Sequence, residues 1–106
     1  MYKLRKYNSE DHEQVTKLWI DVCVNEYGLK KWENELKIVD EFEELIVADL
    51  DGIIIGTIAY QHYNETTAEI KRLYVNNDYR GLGIANNLLS SIIEKIINSS
   101  LVEATI

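Results

Sequence analysis

Two glycines at the start of a helical segment are the residues of this chain best suited to chemistry. Gly81 and Gly83 follow an apolar, strand-like run from Ile70 to Val75 and precede an amphipathic segment with helical spacing. The first backbone N–H groups of a helix have no internal partner, and the helix dipole places partial positive charge there. Glycines let the backbone approach an anion without side chains in the way, and Arg80 adds a cation. This arrangement predicts a site for a phosphate-bearing cofactor.

Other phosphate-binding loops fit these residues less well. A dinucleotide-binding fingerprint needs a third glycine where this chain has Asn86, and the Gly-Lys-Ser/Thr of nucleotide hydrolases is absent. The alternative interpretation is an ordinary strand-to-helix turn, in which the glycines only allow the backbone to change direction. The glycine pair by itself leaves both interpretations open.

The residues around the loop carry a more specific pattern. The motif Arg80-x-x-Gly83-x-Ala85 resembles the R/Q-x-x-G-x-G/A signature of the GNAT superfamily of acyl-CoA-dependent N-acetyltransferases. The run Ala68 to Val75 is similar to that family's fourth strand, and Ile84 to Leu89 is similar to its third helix. The resemblance is specific over residues 68–97.

This resemblance implies acetyl-CoA as the cosubstrate and a role for each residue of the loop. The backbone amides across Gly81 to Ala85 would hold the pyrophosphate, with Arg80 as the flanking charge. The main chain of Leu73 and Val75 would bind the pantetheine arm. The amide of Val75 would donate to the thioester carbonyl and stabilise the negative charge that develops there. The implied cofactor-binding residues are Leu73, Val75, Arg80, Gly81, Leu82, Gly83, Ile84 and Ala85.

Glu69 has two interpretations. The resemblance places it where some family members carry a glutamate general base, which takes a proton from the substrate ammonium because only a neutral amine attacks a thioester. By its position alone it is equally a cross-strand or surface carboxylate near Lys71. The predicted catalytic residues are therefore Glu69 and Val75. The family's usual proton donor is a tyrosine in a later helix that this sequence lacks, and Tyr74 is not assigned that role.

Composition limits the classes of function. The net charge of −7, from 11 basic and 18 acidic residues, argues against a nucleic-acid partner and is compatible with an amine substrate. The N-terminus has no signal-peptide core, and the longest apolar run, Ile53 to Tyr60, is too short to cross a bilayer. We therefore predict a cytoplasmic protein with no membrane partner. The single cysteine, Cys23, excludes an internal disulfide and leaves no metal cluster, so we predict no metal.

Periodicity predicts the elements that position the loop. Strands are predicted at Tyr2 to Tyr7, Leu45 to Leu50, Ile53 to Tyr63, Thr66 to Val75 and Leu101 to Ile106. Helices are predicted from an N-cap at Asn8 or Ser9 to Gly28, over about Leu29 to Glu43, and from Gly83 to Asn98. Asp51-Gly52 suits a tight hairpin, because both residues can take positive φ. These elements predict one α/β domain over residues 1–106, with a mixed, mainly antiparallel sheet flanked by helices.

The resemblance also implies that a further helix and a strand hairpin should follow the last strand, where they supply part of the acceptor pocket in the family. The sequence stops before them. Either the chain is a fragment, or another subunit supplies the missing edge of the sheet. Because an open edge strand invites pairing between chains, we expect a dimer or a larger homo-oligomer.

The function that these observations predict is N-acetyl transfer from acetyl-CoA to an amine, on a small molecule or a protein, by direct attack. A first alternative is an inactive CoA-binding or protein-interaction module on a shortened fold of this type. A second is a scaffold with an ordinary turn at the two glycines. The acceptor is not specified by the sequence, because fold does not fix substrate.

Overall fold

The computed structural model describes residues 1–26, 28, 36, 39 and 41–106. Five strands form one sheet in the order β1-β2-β3-β4-β5. They are β1 Lys3–Lys6, β2 Glu44–Leu50, β3 Ile53–His62, β4 Thr67–Val75 and β5 Glu103–Thr105. Strands β1 to β4 pair antiparallel, and β5 pairs parallel with β4. With the helices α1, His12–Ile20, and α2, Ile84–Ile97, this confirms the predicted mixed, mainly antiparallel sheet flanked by helices.

Within the described residues, α2 lies on one face of the sheet and α1 on the other, because alternate side chains along a strand point to opposite faces. The apolar stripe of α2 packs on one face and that of α1 on the other. Fully buried side chains of the α2 face are Ile55, Ile58, Ile84, Leu88 and Ile92. Those of the α1 face include Val15, Trp19 and Val47.

The first helical segment begins with a capping box at Asn8. The Asn8 side chain accepts from the backbone N–H of Glu10, and the Asp11 carboxylate accepts from the backbone N–H of Asn8. A short 3-10 turn, Ser9–Asp11, leads into α1, and Asp21–Glu26 continue it as a π-helix. Gly28 follows with a φ of 69°, and its N–H donates to the Val24 carbonyl. This geometry suits the predicted helix end at Gly28.

The second predicted helix, over about residues 29–43, lies mostly outside the described residues. Within them, Leu36 and Val39 are buried in the α1-face core. Residues 41–43 are not helical, and β2 begins at Glu44, so extending the helix to Glu43 was wrong.

The β2–β3 turn takes the predicted form, with φ of 50° at Asp51 and 93° at Gly52. Beyond it, Gly56 lets α2 lie close to the sheet. A Cβ at this position would lie 3.1 Å from Leu88 Cδ1 and 3.2 Å from the Tyr74 carbonyl oxygen. Strand β3 therefore needs a residue without a side chain at the point where α2 begins to cross it.

Strands β4 and β5 pair over three residues only. The pairs are Thr67 with Glu103, Ala68 with Ala104 and Glu69 with Thr105. Among the described residues, the rest of β4, residues 70–75, has no strand on that edge. The open stretch of β4 leads directly to the glycine loop.

No helix in the described part of the chain is both long enough and apolar enough to cross a membrane.

Candidate active site

A cavity of about 480 Å³ lies where the open stretch of β4 meets the start of α2. Three segments contribute its walls: the end of β4, the loop with the first turn of α2, and the π-helical continuation of α1. The lining residues are Val22, Leu73, Tyr74, Val75, Tyr79, Arg80, Gly81, Gly83, Ile84, Ala85 and Asn86. The structure thus brings together seven of the eight predicted cofactor-binding residues. Leu82 is the exception, since its side chain is 66% exposed and does not line the cavity.

The two glycines adopt backbone conformations that other residues rarely take. Gly81 has a φ of 83° and Gly83 a φ of 79°, both in the left-handed region. Gly83 is the N-cap of α2 and offers no side-chain cap, and the first turn of α2 holds no acidic residue. A Cβ at either glycine would have no atom within 4 Å. The loop is therefore open above its backbone, and the amides at the start of α2 face that space without a competing carboxylate.

Arg80 is fixed at the entrance of this loop by the end of β4. Its Nε donates to the Val75 carbonyl at 3.2 Å, and its Nη1 lies 3.4 Å from Asn77 Oδ1. The guanidinium thus holds a positive charge beside the start of α2, in the place the sequence predicts.

The Val75 amide points away from β3. Neighbouring residues of a strand direct their N–H groups to opposite edges, and the next N–H, that of Asn76, donates to the Ile55 carbonyl of β3 at 2.8 Å. The Val75 N–H therefore faces the edge where β5 does not pair with β4. It is directed to the same side as the Val75 carbonyl that Arg80 contacts.

Glu69 lies elsewhere on β4. It pairs with Gln61 on one side and Thr105 on the other, at the closed end of the strand pair. Its Oε1 accepts from Gln61 Nε2 at 2.9 Å and lies 4.0 Å from Lys71 Nζ. These contacts are the ones expected if Glu69 is a cross-strand carboxylate near Lys71. Glu69 does not line the cavity, so the structure does not bring it to the glycine loop.

Tyr74 is a cavity residue that the sequence did not single out for the site. Burial, together with the nearby Cys23 thiol, raises the pKa of Tyr74 to about 12, against the opposing effect of Arg72. The phenol keeps its proton at neutral pH, and its hydroxyl makes hydrogen bonds with the side chains of Cys23 and Arg72. Cys23 is buried, as its position on the apolar side of the helix predicts.

A sequence profile of the acetyltransferase (GNAT) family matches residues 2–105. The chain belongs to the GNAT family of acetyltransferases. By class it is an acetyl-CoA-dependent acyltransferase, and the resemblance seen in the loop motif extends over nearly the whole sequence.

Individual relatives agree with this assignment. An acetyltransferase of Yersinia pestis (strain Pestoides F) is 30% identical over 100 residues, which are 90% of this chain and 67% of that protein. The crystal structure of a GNAT acetyltransferase from Staphylococcus aureus Mu50 superposes with a TM-score of 0.80 at 20% identity, covering 90% of this chain and 66% of that one. A Brucella melitensis GNAT acetyltransferase, solved in complex with acetyl-CoA, has a TM-score of 0.77 at 17% identity, covering 92% of this chain and 69% of that one. The chain thus spans about two thirds of the length of these relatives.

In this GNAT acetyltransferase, sequence reasoning found the loop and missed the opposite wall of the cavity. Tyr79 directly precedes the motif and Asn86 directly follows it, so their positions in the sequence could have identified both as cavity residues. Tyr74 lies between Leu73 and Val75, which were predicted to bind the cofactor, so its position in the sequence also indicates the site. Val22 is different, because only the tertiary packing of the α1 continuation brings it to the site.

Proposed function

We propose that this chain binds acetyl-CoA in the cavity at the start of α2 and transfers its acetyl group to an amine. The observation that carries the proposal is the convergence of the open glycine loop, the Arg80 guanidinium and the unpaired edge of β4 on one cavity. Family membership supplies the reaction class, and the acetyl-CoA complex of the Brucella relative supports the cosubstrate.

The residues present fit a ligand that is anionic at one end and amide-rich in the middle. The amides from Gly81 to Ala85 would hold the pyrophosphate, with Arg80 adjacent, since the N-cap of α2 has no side-chain hydrogen bond and its first turn has no acidic residue. The free edge at Leu73 and Val75 would receive the pantetheine arm as an added strand does, through main-chain hydrogen bonds. Leu82, with its exposed side chain, would contribute backbone alone.

Bound acetyl-CoA would supply an activated acyl group as a thioester. The Val75 N–H would donate to the carbonyl oxygen where negative charge develops. The cavity walls would hold the amine against the carbonyl carbon, and this positioning is a large part of the rate gain. The net reaction forms one N–C bond and breaks one C–S bond, and a proton leaves the nitrogen while the sulfur leaves as thiol.

For the proton on nitrogen, Glu69 stays our candidate acceptor. It lies outside the cavity, so it would have to act through intervening water. Its contacts with Gln61 and Lys71 equally suit a structural carboxylate. Glu69→Gln separates the two roles: loss of the base lowers the rate most at low pH without loss of stability, whereas loss of a structural contact lowers stability and leaves the pH profile unchanged.

Calorimetric titration of the purified chain with acetyl-CoA tests the proposal first. We expect one-site binding, followed by thiol release when a panel of amines is added. Binding without thiol release would favour the inactive CoA-binding module. Folded protein that gives no heat with acetyl-CoA would refute the site.

Three further features stay predictions from the sequence: a cytoplasmic location, independence from a metal ion, and the lack of nucleic-acid and membrane partners. The homo-oligomer is likewise a proposal, and its test is given in the Discussion.

A further inference from the structure

The bulge in β4 places a cation in a setting that the proposed cofactor site does not explain. Ala59 pairs with Lys71 and Thr57 with Tyr74, so β4 carries an extra residue between them. Arg72 lies in this bulge with a φ of 59°, a left-handed conformation that is unfavourable for any residue with a Cβ. Such bulges occur next to active sites, where they redirect a side chain, and strained residues cluster there too.

The bulge is held in place by a buried hydrogen-bond chain from α1. Trp19 Nε1 donates to Thr57 Oγ1 at 2.8 Å, and Thr57 Oγ1 donates to the Arg72 carbonyl at 2.8 Å. Trp19 and Thr57 are both fully buried. These hydrogen bonds fix the backbone of Arg72 from the α1 face and so fix the position of its Cα–Cβ bond.

The Arg72 guanidinium lies over two adjacent aromatic rings. Its Cζ lies 5.2 Å from the centroid of the Trp19 ring and 5.6 Å from that of Phe42. The two rings meet edge to face, with centroids 6.1 Å apart. Aromatic faces stabilise the charge and orient the planar group, but they accept none of its five N–H donors in the way a carboxylate does.

The Tyr74 side chain makes a hydrogen bond with the guanidinium, but one N–H donor of Arg72 has no acceptor. Arg72 Nε is buried without a hydrogen-bond partner, and within the described residues no carboxylate forms an ion pair with the guanidinium. A buried donor without a partner costs stability, and a fixed guanidinium matches a carboxylate in shape and charge. Since Nε is closed to solvent, an anion from outside would pair with the guanidinium through its terminal N–H groups.

The position of Arg72 relative to the cavity identifies which part of a substrate it would meet. Arg72 does not itself line the cavity, but it precedes Leu73, the first residue of β4 that does. Its aromatic partner Trp19 is one helical turn from Val22, which lines the cavity. With the pyrophosphate at the loop and the thioester carbonyl at the Val75 N–H, Leu73 and Arg72 would lie on the side of the acetyl group away from the loop, where the acceptor would enter.

We propose that Arg72 is a specificity-determining residue that binds a carboxylate on the acceptor, so that the acceptor is a small amine also bearing a carboxylate, the pattern of a free amino acid. This inference rests on the proposed function. An amino acid is a zwitterion with no net charge, so the acidic surface of the chain, with its net charge of −7, does not repel it.

The experiment compares amino acids with their carboxamides and with the corresponding decarboxylated amines, using acetyl-CoA and thiol release. In the parent chain we expect kcat/KM for the amino acids to exceed that for the matched carboxamides by about 10- to 100-fold, as for a charge-assisted hydrogen-bonded pair. Arg72→Gln should remove this ratio through KM, while leaving acetyl-CoA binding and turnover of the carboxamides within about threefold. Lys17→Gln, which removes one exposed positive charge from α1, is the matched control and should leave the ratio unchanged.

Arg72→Lys provides a second measurement of the ratio between amino acids and carboxamides, in case Arg72→Gln does not fold. It keeps the charge and loses the two-pronged geometry, so we expect a reduced but measurable ratio. A parent ratio near one, a ratio unaffected by either substitution, or transfer confined to amines without a carboxylate would each overturn the inference and leave the proposed function intact. Failure to bind acetyl-CoA would refute the proposed function itself, and calorimetry reports that separately.

Discussion

Gly83 combines a left-handed backbone with open space above it, at the point where α2 begins. Its φ of 79° disfavours any residue with a Cβ, by roughly 1–2 kcal/mol for the ordinary case. No atom lies within 4 Å of the Cβ position, so a side chain there would project into the open space above the loop. In our proposal the pyrophosphate occupies that space.

Gly83→Val should therefore weaken acetyl-CoA binding by at least about tenfold, measured by calorimetry. The matched control is Gly52→Val in the β2–β3 turn, where φ is 93° and the Cβ position is equally open, but which lies away from the cavity. We expect Gly52→Val to cost stability and keep binding. Equal loss of binding in both variants would show that backbone strain, and not the blocked approach, is responsible.

Among the elements, α2 depends on one residue of β3 for its distance from the sheet. Gly56→Ala would put a Cβ 3.1 Å from Leu88 Cδ1 and 3.2 Å from the Tyr74 carbonyl oxygen. Leu88 is fully buried and the carbonyl belongs to β4, so neither can move freely. We expect a loss of about 1–3 kcal/mol in the free energy of unfolding, measured with urea. An unchanged midpoint would mean that α2 shifts outward at no cost, and the glycine would then not set its position.

Strand β1 is joined to its neighbours by one arginine between two carboxylates. Arg5 Nη1 and Nη2 each lie 2.8 Å from an oxygen of Asp11, and Arg5 Nε lies 2.9 Å from Asp49 Oδ2. The hydrogen bonds from Arg5 hold the pKa of both carboxyl groups below the usual range, aided by the backbone N–H of Asn8 for Asp11 and of Gly52 for Asp49.

The two carboxyl groups, Asp11 and Asp49, make the free energy of unfolding depend on pH. Since both folded-state pKa values are lower than the unfolded value of about 3.9, the contribution is fully present above about pH 4 and is lost as pH falls through the folded values. The unfolding free energy should therefore drop below about pH 4. Arg5→Met should lower the midpoint at pH 7 and flatten this acid dependence. Lys6→Met, which removes an exposed ammonium 3.9 Å from the Glu44 carboxylate on the same pair of strands, should change both by much less; an acid profile for Arg5→Met that matches the parent would refute the assignment.

At the scale of the whole molecule, one edge of the sheet is formed by a short and fully exposed strand. All three residues of β5 are exposed, and the apolar neighbours Val102 and Ile106 are 75% and 87% exposed. A free strand edge with apolar side chains offers its hydrogen-bonding groups to a second copy of the same strand.

We therefore expect light scattering to give twice the chain mass of 12.3 kDa at concentrations on the order of tens of micromolar, a range typical of weak association. Replacing Val102 and Ile106 by lysine should return the protein to a monomer, because edge lysines oppose strand pairing. Ile53→Lys, at an exposed apolar residue of the opposite end, should leave the dimer intact. A parent chain that is monomeric in this range would end the proposal.

The sequence was most informative where structure depends on a few neighbouring residues. The hairpin at Asp51-Gly52 and the bounds of α2 follow from local backbone preferences and from apolar spacing, and the structure agrees with them. The family motif is equally local, so the loop side of the candidate site could be predicted almost completely. The end of the second helix was placed wrongly at Glu43, since the charged residues there carry no clear stop signal.

Only the tertiary structure decided the features that depend on pairing register. The bulge at Arg72, its stacking on Trp19 and Phe42, and the open edge beside Val75 result from how β3, β4 and β5 align, and no single segment encodes that alignment. Arg72 and Trp19 are 53 positions apart in the chain, so their contact exists only once the helix has packed on the sheet. Local sequence thus determined the glycine loop and the family to which the chain belongs. The packing of distant residues determined the surroundings of Arg72, the group that we propose binds the acceptor.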